Sequence, residues 1–145
     1  MTGATGKQGG AVVKALLASP PPFDYQILAL TRRATSPAAK ALASHAKVTL
    51  IEGDLNDSPA IFTKAGGVGS IWGVFCVTLP SFGKKEALES EQKQGCDLVD
   101  ASLVHDVQHF VYTSVDRGGH DRSDTDATDI PHFASKVRRI RCHWR

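Results

Sequence analysis

Apolar residues along this chain switch between two spacings. Val12, Val13, Leu16 and Leu17 recur at helical intervals on one face, so residues 9–18 read as a helix. Ser19-Pro20-Pro21-Pro22 ends it, because proline lacks the N–H and clashes with the preceding turn. Residues 25–30 form a short apolar run that reads as a strand. Residues 36–45 return to helical spacing, with Ser36 placed to cap the helix and Pro37 at its first position. Val48–Glu52 is the next strand, residues 58–65 a short helix with a second Ser-Pro start, and residues 71–78 a buried strand. The longest helix covers residues 84–104, with Leu88, Cys96, Val99 and Leu103 on its inner side. Residues 109–114 are the last clear strand. Helix and strand therefore alternate, which is the pattern of an α/β protein built on a parallel sheet.

Composition narrows the classes of function more than it selects one. The chain has 145 residues, enough to bury about 70% of its unfolded surface in a single domain. No stretch approaches the ~18 apolar residues of a membrane span, so no membrane partner is expected. The N-terminus is glycine-rich and polar rather than basic and then apolar, which argues against a signal peptide and for a cytoplasmic location, with the nucleus as an alternative. Cys76, Cys96 and Cys142 are too few and too scattered for a disulfide framework or a zinc site, and Cys76 lies in an apolar run. The net charge of +2 conceals a basic end. Residues 136–145 hold five of the 17 Lys and Arg and no acid, so the remainder is mildly acidic. A short basic end is read as a solvated terminus, and nucleic acid is not expected as a partner.

Chemistry enters at residues 2–10, Thr-Gly-Ala-Thr-Gly-Lys-Gln-Gly-Gly. Gly3, Gly6 and Gly9 are spaced to give a tight turn, a close backbone approach to a pyrophosphate, and close helix–sheet packing. The helix N-terminus behind them offers N–H groups and partial positive charge. The candidate dinucleotide contacts are therefore Gly3, Ala4, Thr5, Gly6, Lys7, Gln8 and Gly9; a plain turn is the alternative. After the next strand comes Thr31-Arg32-Arg33, with no acid between Leu28 and Lys40. An acid there would bind the 2′-hydroxyl of NAD, whereas a guanidinium suits the 2′-phosphate of NADP, with Arg32 the first choice and Arg33 the second. A solvated loop arginine is the plainer reading. Asp54 is placed either to accept from the adenine amino group or to cap the following turn, and Val77 and Thr78 end the strand that borders the cleft. The expected architecture is a Rossmann-like doubly wound parallel sheet. A glycine turn of this kind follows a strand, and the chain begins at Met1. The sheet is therefore expected to lack its first, central strand, and nothing after residue 136 reads as a completed second domain. Residues 1–136 are read as the nucleotide-binding domain and 137–145 as a basic tail outside it.

Six stretches together resemble the NmrA-like family, an atypical branch of the short-chain dehydrogenases/reductases. They are residues 2–10, Leu30-Thr31-Arg32, Glu52-Gly53-Asp54, Glu91-Gln92-Lys93-Gln94-Gly95, Phe110-Val111-Tyr112-Thr113-Ser114 and His132-Phe133-Ala134-Ser135-Lys136. The resemblance implies an NADP-binding Rossmann domain with a smaller C-terminal domain over the cleft. It implies that NADP(H) is held by the glycine turn, Arg32 and Thr78, with Lys93 and Lys136 also at the cofactor. In that superfamily a Tyr-x-x-x-Lys pair and a serine carry out reduction. Lys136 and Ser114 fit the lysine and the serine, but the tyrosine position is His132. Some relatives are redox-responsive regulators that bind a transcription factor or an enzyme, and others reduce small molecules. The leading expectation is an NADP(H)-binding, redox-sensing regulatory module with a protein partner. The alternatives are an NADPH-dependent oxidoreductase acting on a small carbonyl or enone, and a truncated product without function.

Overall fold

The computed structural model describes residues 1–78 and 85–115, with side chains from residue 89 onward in the second segment. Lys136, His132, Cys142 and the basic tail lie outside the described residues. The elements follow the sequence order: α1 (Lys7–Ala18), β1 (Ile27–Thr31), α2 (Pro37–Ala43), β2 (Val48–Glu52), a 3-10 turn (Leu55–Asp57), α3 (Ser58–Lys64), β3 (Gly73–Cys76), α4 (Lys85–Val104) and β4 (His109–Tyr112).

Strands β1 and β2 pair in parallel, from Ile27 opposite Val48 to Thr31 opposite Glu52. Strands β3 and β4 pair in parallel, from Gly73 opposite His109 to Cys76 opposite Tyr112. Between the two pairs, among the described residues, stand Met1 and Thr2. The Met1 amino group donates to the Leu28 carbonyl at 2.8 Å, and Leu30 N–H donates to the Met1 carbonyl at 2.9 Å. On the other side Thr2 N–H donates to the Phe75 carbonyl at 3.0 Å. The Thr2 hydroxyl accepts from Val77 N–H and donates to the Val77 carbonyl, both at 2.7 Å. The central place, which the sequence reading left without its strand, holds Met1 and Thr2, and they connect the pairs in the order β2, β1, residues 1–2, β3, β4.

Helices lie on both faces of this layer. Val13 of α1 packs with Ala4, Ile27, Ala29 and Val48, joined by Leu16, Leu17 and Leu42. On the opposite side of β1, Leu30 and Ile61 of α3 both lie against Gly53. A second cluster joins Phe62 of α3, Val74 and Cys76 of β3, and Leu98 and Ala101 of α4. Cys76 is fully buried there, as its apolar run implies. This two-faced arrangement is the doubly wound form expected from the sequence.

Several sequence readings shift, β3 and the phase of α4 most. The strand expected over 71–78 is confined to Gly73–Cys76, because Trp72 is exposed and stacks on His109. In α4 the buried stripe runs through Glu91, Gly95, Leu98, Ala101 and Ser102, whereas Leu103 is 61% exposed. Hydropathy misplaced the phase because a glutamate, a glycine and a serine occupy the inward face. Leu88 lies outside the described side chains. Capping follows expectation: Ser36 Oγ accepts from Ala39 N–H at 3.3 Å. Ser36→Ala is expected to cost about 1 kcal/mol, read as a shift of the urea midpoint without a change in slope.

Candidate functional site

Parallel pairing has one decisive consequence: every strand ends at the same edge of the sheet. That edge therefore collects the turn after residues 1–2, Arg32 after β1, Asp54 after β2, Val77 and Thr78 after β3, and Ser114 after β4. The chain runs outward from residues 1–2 to β1 and β2, then returns on the other side with β3 and β4. The reversal point, where such sheets open a crevice, lies between residues 1–2 and β3.

The glycine turn sits at that point. Gly3 has φ of +62°, a left-handed conformation that favours glycine. A Cβ on Gly3 would lie 3.2 Å from Val77 Cβ, so the turn rests directly on the end of β3. Gly6 N–H donates to the Gly3 carbonyl at 2.9 Å and closes the turn. At Gly9 a Cβ would fall 2.3 Å from the Gly3 carbonyl oxygen, inside any permitted contact. Helix and turn can approach this closely only with glycine there. Ala4 and Gly9 are buried, whereas Thr5, Gly6, Lys7 and Gln8 form an exposed rim.

The three short-loop helices differ at their starts. Ser36 caps α2 and Asp57 caps α3, each with its own side chain. Helix α1 has Gly6 as its N-cap, no side-chain cap and no acid in its first turn. Its N-terminal dipole therefore has no acid of its own first turn to neutralise it.

Arg32 and Arg33 are both exposed beyond β1. Their turn is tied down by Thr31, whose hydroxyl accepts from Arg33 N–H at 3.2 Å, and by Glu52, whose carboxylate accepts from Ala34 N–H at 2.7 Å. Asp54 accepts from Asn56 N–H at 2.9 Å and so caps the 3-10 turn. The capping reading of Asp54 is thus realised. Asn56 in turn accepts from the Gln94 side chain at 3.0 Å, tying this loop to α4. Thr78 is buried and donates to Glu91 at 3.1 Å. Lys93 is exposed and pairs with Asp97 one turn along α4.

Ser114 is partly exposed as a residue, yet its hydroxyl oxygen is enclosed and has no hydrogen-bond partner among the described residues. An enclosed polar atom left unpaired costs about 1–3 kcal/mol, a cost tolerated where a ligand completes the bonding.

Sequence reasoning gave no role to Glu52 or Glu91. Glu91 carried a signal: it lies seven residues before Leu98 and ten before Ala101, in phase with the buried stripe. Glu52 carried one only through register, since it stands opposite Thr31. No group of three or more His, Cys, Asp or Glu among the described residues could hold a metal ion, and no described helix is long and apolar enough to cross a membrane.

Comparison with known proteins agrees with this geometry. One relative, the NmrA-like family domain-containing oxidoreductase hkm9 of Aspergillus hancockii, is 40% identical over 116 residues, covering 77% of this chain and 32% of its own. The corresponding oxidoreductase lnaB of Aspergillus flavus is 32% identical over 115 residues with the same coverage. Among solved structures, Citrobacter sp. triphenylmethane reductase matches with a TM-score of 0.70 at 24% identity, over 97% of this chain and 43% of the other. The same enzyme complexed with NADP(H) matches at 0.67 and 24% identity, over 94% of this chain and 44% of the other. These solved structures share the fold, and the chain spans about a third of the length of the curated relatives. The NmrA-like family model matches residues 1–145, and the chain belongs to the NmrA-like family.

Proposed function

We propose that the chain is an NADP(H)-binding domain. The observation that carries this reading is the α1 N-terminus: uncapped, without an acid, closed by Gly3 and Gly9, and set at the reversal point of a parallel sheet. Gly3 to Gly9 would hold the pyrophosphate, Arg32 with Arg33 the 2′-phosphate, and Val77 and Thr78 would border the nicotinamide half. When bound, NADPH supplies a hydride; these residues bind and orient it. The NADP(H)-bound Citrobacter neighbour supports the choice of nucleotide. Calorimetric titration is expected to show NADP bound more tightly than NAD. Arg32→Ala is expected to weaken NADP about tenfold or more, the loss of a charge-assisted phosphate contact, with NAD little changed. Equal affinities for the two nucleotides in the unaltered chain would overturn the NADP assignment.

Within this reading the domain serves as a redox sensor that presents its bound or empty state to a protein partner in the cytoplasm. His132 at the tyrosine position supports that role. A reductase acting on a small carbonyl or enone is the second reading. It is favoured by the enclosed, unpartnered Ser114 hydroxyl and by the oxidoreductase names of the two Aspergillus relatives. NADPH consumption over a panel of such substrates separates the two. Turnover lost in both Ser114→Ala and Lys136→Ala supports the reductase, and no turnover by the unaltered protein supports the sensor.

A further inference from the structure

The turn that carries Arg32 and Arg33 is held from outside its own strand. Thr31 bonds Arg33 locally, its hydroxyl accepting from Arg33 N–H and donating to the Arg33 carbonyl at 3.3 Å. The next residue, Ala34, donates its N–H to Glu52 Oε2 at 2.7 Å. Glu52 ends β2 directly opposite Thr31, and its own carbonyl accepts from the Lys64 ammonium of α3 at 2.9 Å. The carboxylate is thus fixed at its backbone by a neighbouring helix, and it reaches across to the exit of the arginine turn. A bond from N–H to carboxylate is roughly twice as strong as a neutral one. It anchors the exposed turn that carries the two guanidinium groups.

We propose that Glu52 is a positioning residue for nucleotide selection. By accepting from Ala34 it fixes the turn so that the guanidinium groups of Arg32 and Arg33 converge on a 2′-phosphate. Glu52 also brings a negative charge to the edge of a site for a dianion. Its acceptor oxygen therefore favours NADP, while its charge opposes it. The two effects are separable by substitution. This inference rests on the NADP(H) reading above.

The test is the ratio of NAD to NADP dissociation constants, measured by calorimetry on the full chain. Glu52→Ala removes the anchor and is expected to lower the ratio about tenfold through weaker NADP binding, with NAD affinity unchanged. Glu52→Gln keeps an acceptor of the same reach and removes the charge, and is expected to match or exceed the unaltered ratio. Glu52→Asp keeps the charge but withdraws the oxygen, and is expected to behave like Glu52→Ala; it serves in its place if the alanine variant fails to fold. A ratio unchanged in both Glu52→Ala and Glu52→Asp overturns the inference and leaves the NADP(H) reading intact. So does a Glu52→Gln variant as impaired as Glu52→Ala. An unaltered chain without preference for NADP overturns both.

Discussion

Gly9→Ala is expected to destabilise the chain by about 3 kcal/mol or more and to abolish nucleotide binding. The added carbon would lie 2.3 Å from the Gly3 carbonyl oxygen, 2.6 Å from its carbon and 2.9 Å from Ala4 nitrogen. All three are backbone atoms, so no side chain can rotate away. Gly3 is itself held, because Gly6 N–H bonds its carbonyl and Val77 lies where its Cβ would stand. Either α1 moves off the turn or the turn opens, and both alter the crevice. The next glycine is the control. At Gly10 a Cβ would meet only the Ala4 carbonyl oxygen at 3.3 Å. Gly10→Ala should change stability by no more than about 1 kcal/mol, the clash being offset by alanine's better helix propensity. Urea unfolding of the two variants measures the difference. Equal losses would mean that close approach is not what Gly9 provides.

Between pH 6 and pH 8 the stability of the 145-residue chain is expected to rise by about 2–3 kcal/mol through a single group. The Met1 amino group is enclosed beside β1, and this burial lowers its pKa from 8.0 to about 6, the neighbouring Cys76 acting in the opposite direction. The unfolded chain holds this proton up to about pH 8, the folded one only to about pH 6. Below both values each state is protonated and the cost of burying the charge is borne in full. As pH rises through the window the folded state is relieved first, so stability climbs and then levels off. Acetylation of the amine removes the titration. The difference between the urea-derived curves of acetylated and unmodified chains isolates it from the histidines. Parallel curves would rule out the buried amine as its source.

The sequence disclosed most of the elements because each combined a period with a stop signal. Pro20 ends α1, Ser36 starts α2, and β2 matches its expected bounds. The glycine spacing was legible for a similar reason: only one side chain permits the Gly9 contact. What remained hidden depended on partners distant in sequence. The inward phase of α4 could not be read from hydropathy, since Glu91 is buried by its bond to Thr78 rather than by apolarity. Glu52 resembled a solvated strand end until register placed it opposite Thr31. The capping choice of Asp54 likewise needed the geometry of the 3-10 turn.

Met1 and Thr2 carry the main-chain hydrogen bonds that join the β1–β2 pair to the β3–β4 pair. Each pair has its own hydrophobic cluster, and α3 crosses the seam: Ile61 lies against Gly53 after β2, while Phe62 belongs to the β3–β4 cluster. Partial opening of either cluster, below the global transition, is expected to show as its own group of exchanging amides. A dinucleotide spanning the loops of both halves would bind only when both are formed. It would therefore merge the two openings into one. The nucleotide would then act as a cooperativity switch, suppressing the separate opening of the two clusters.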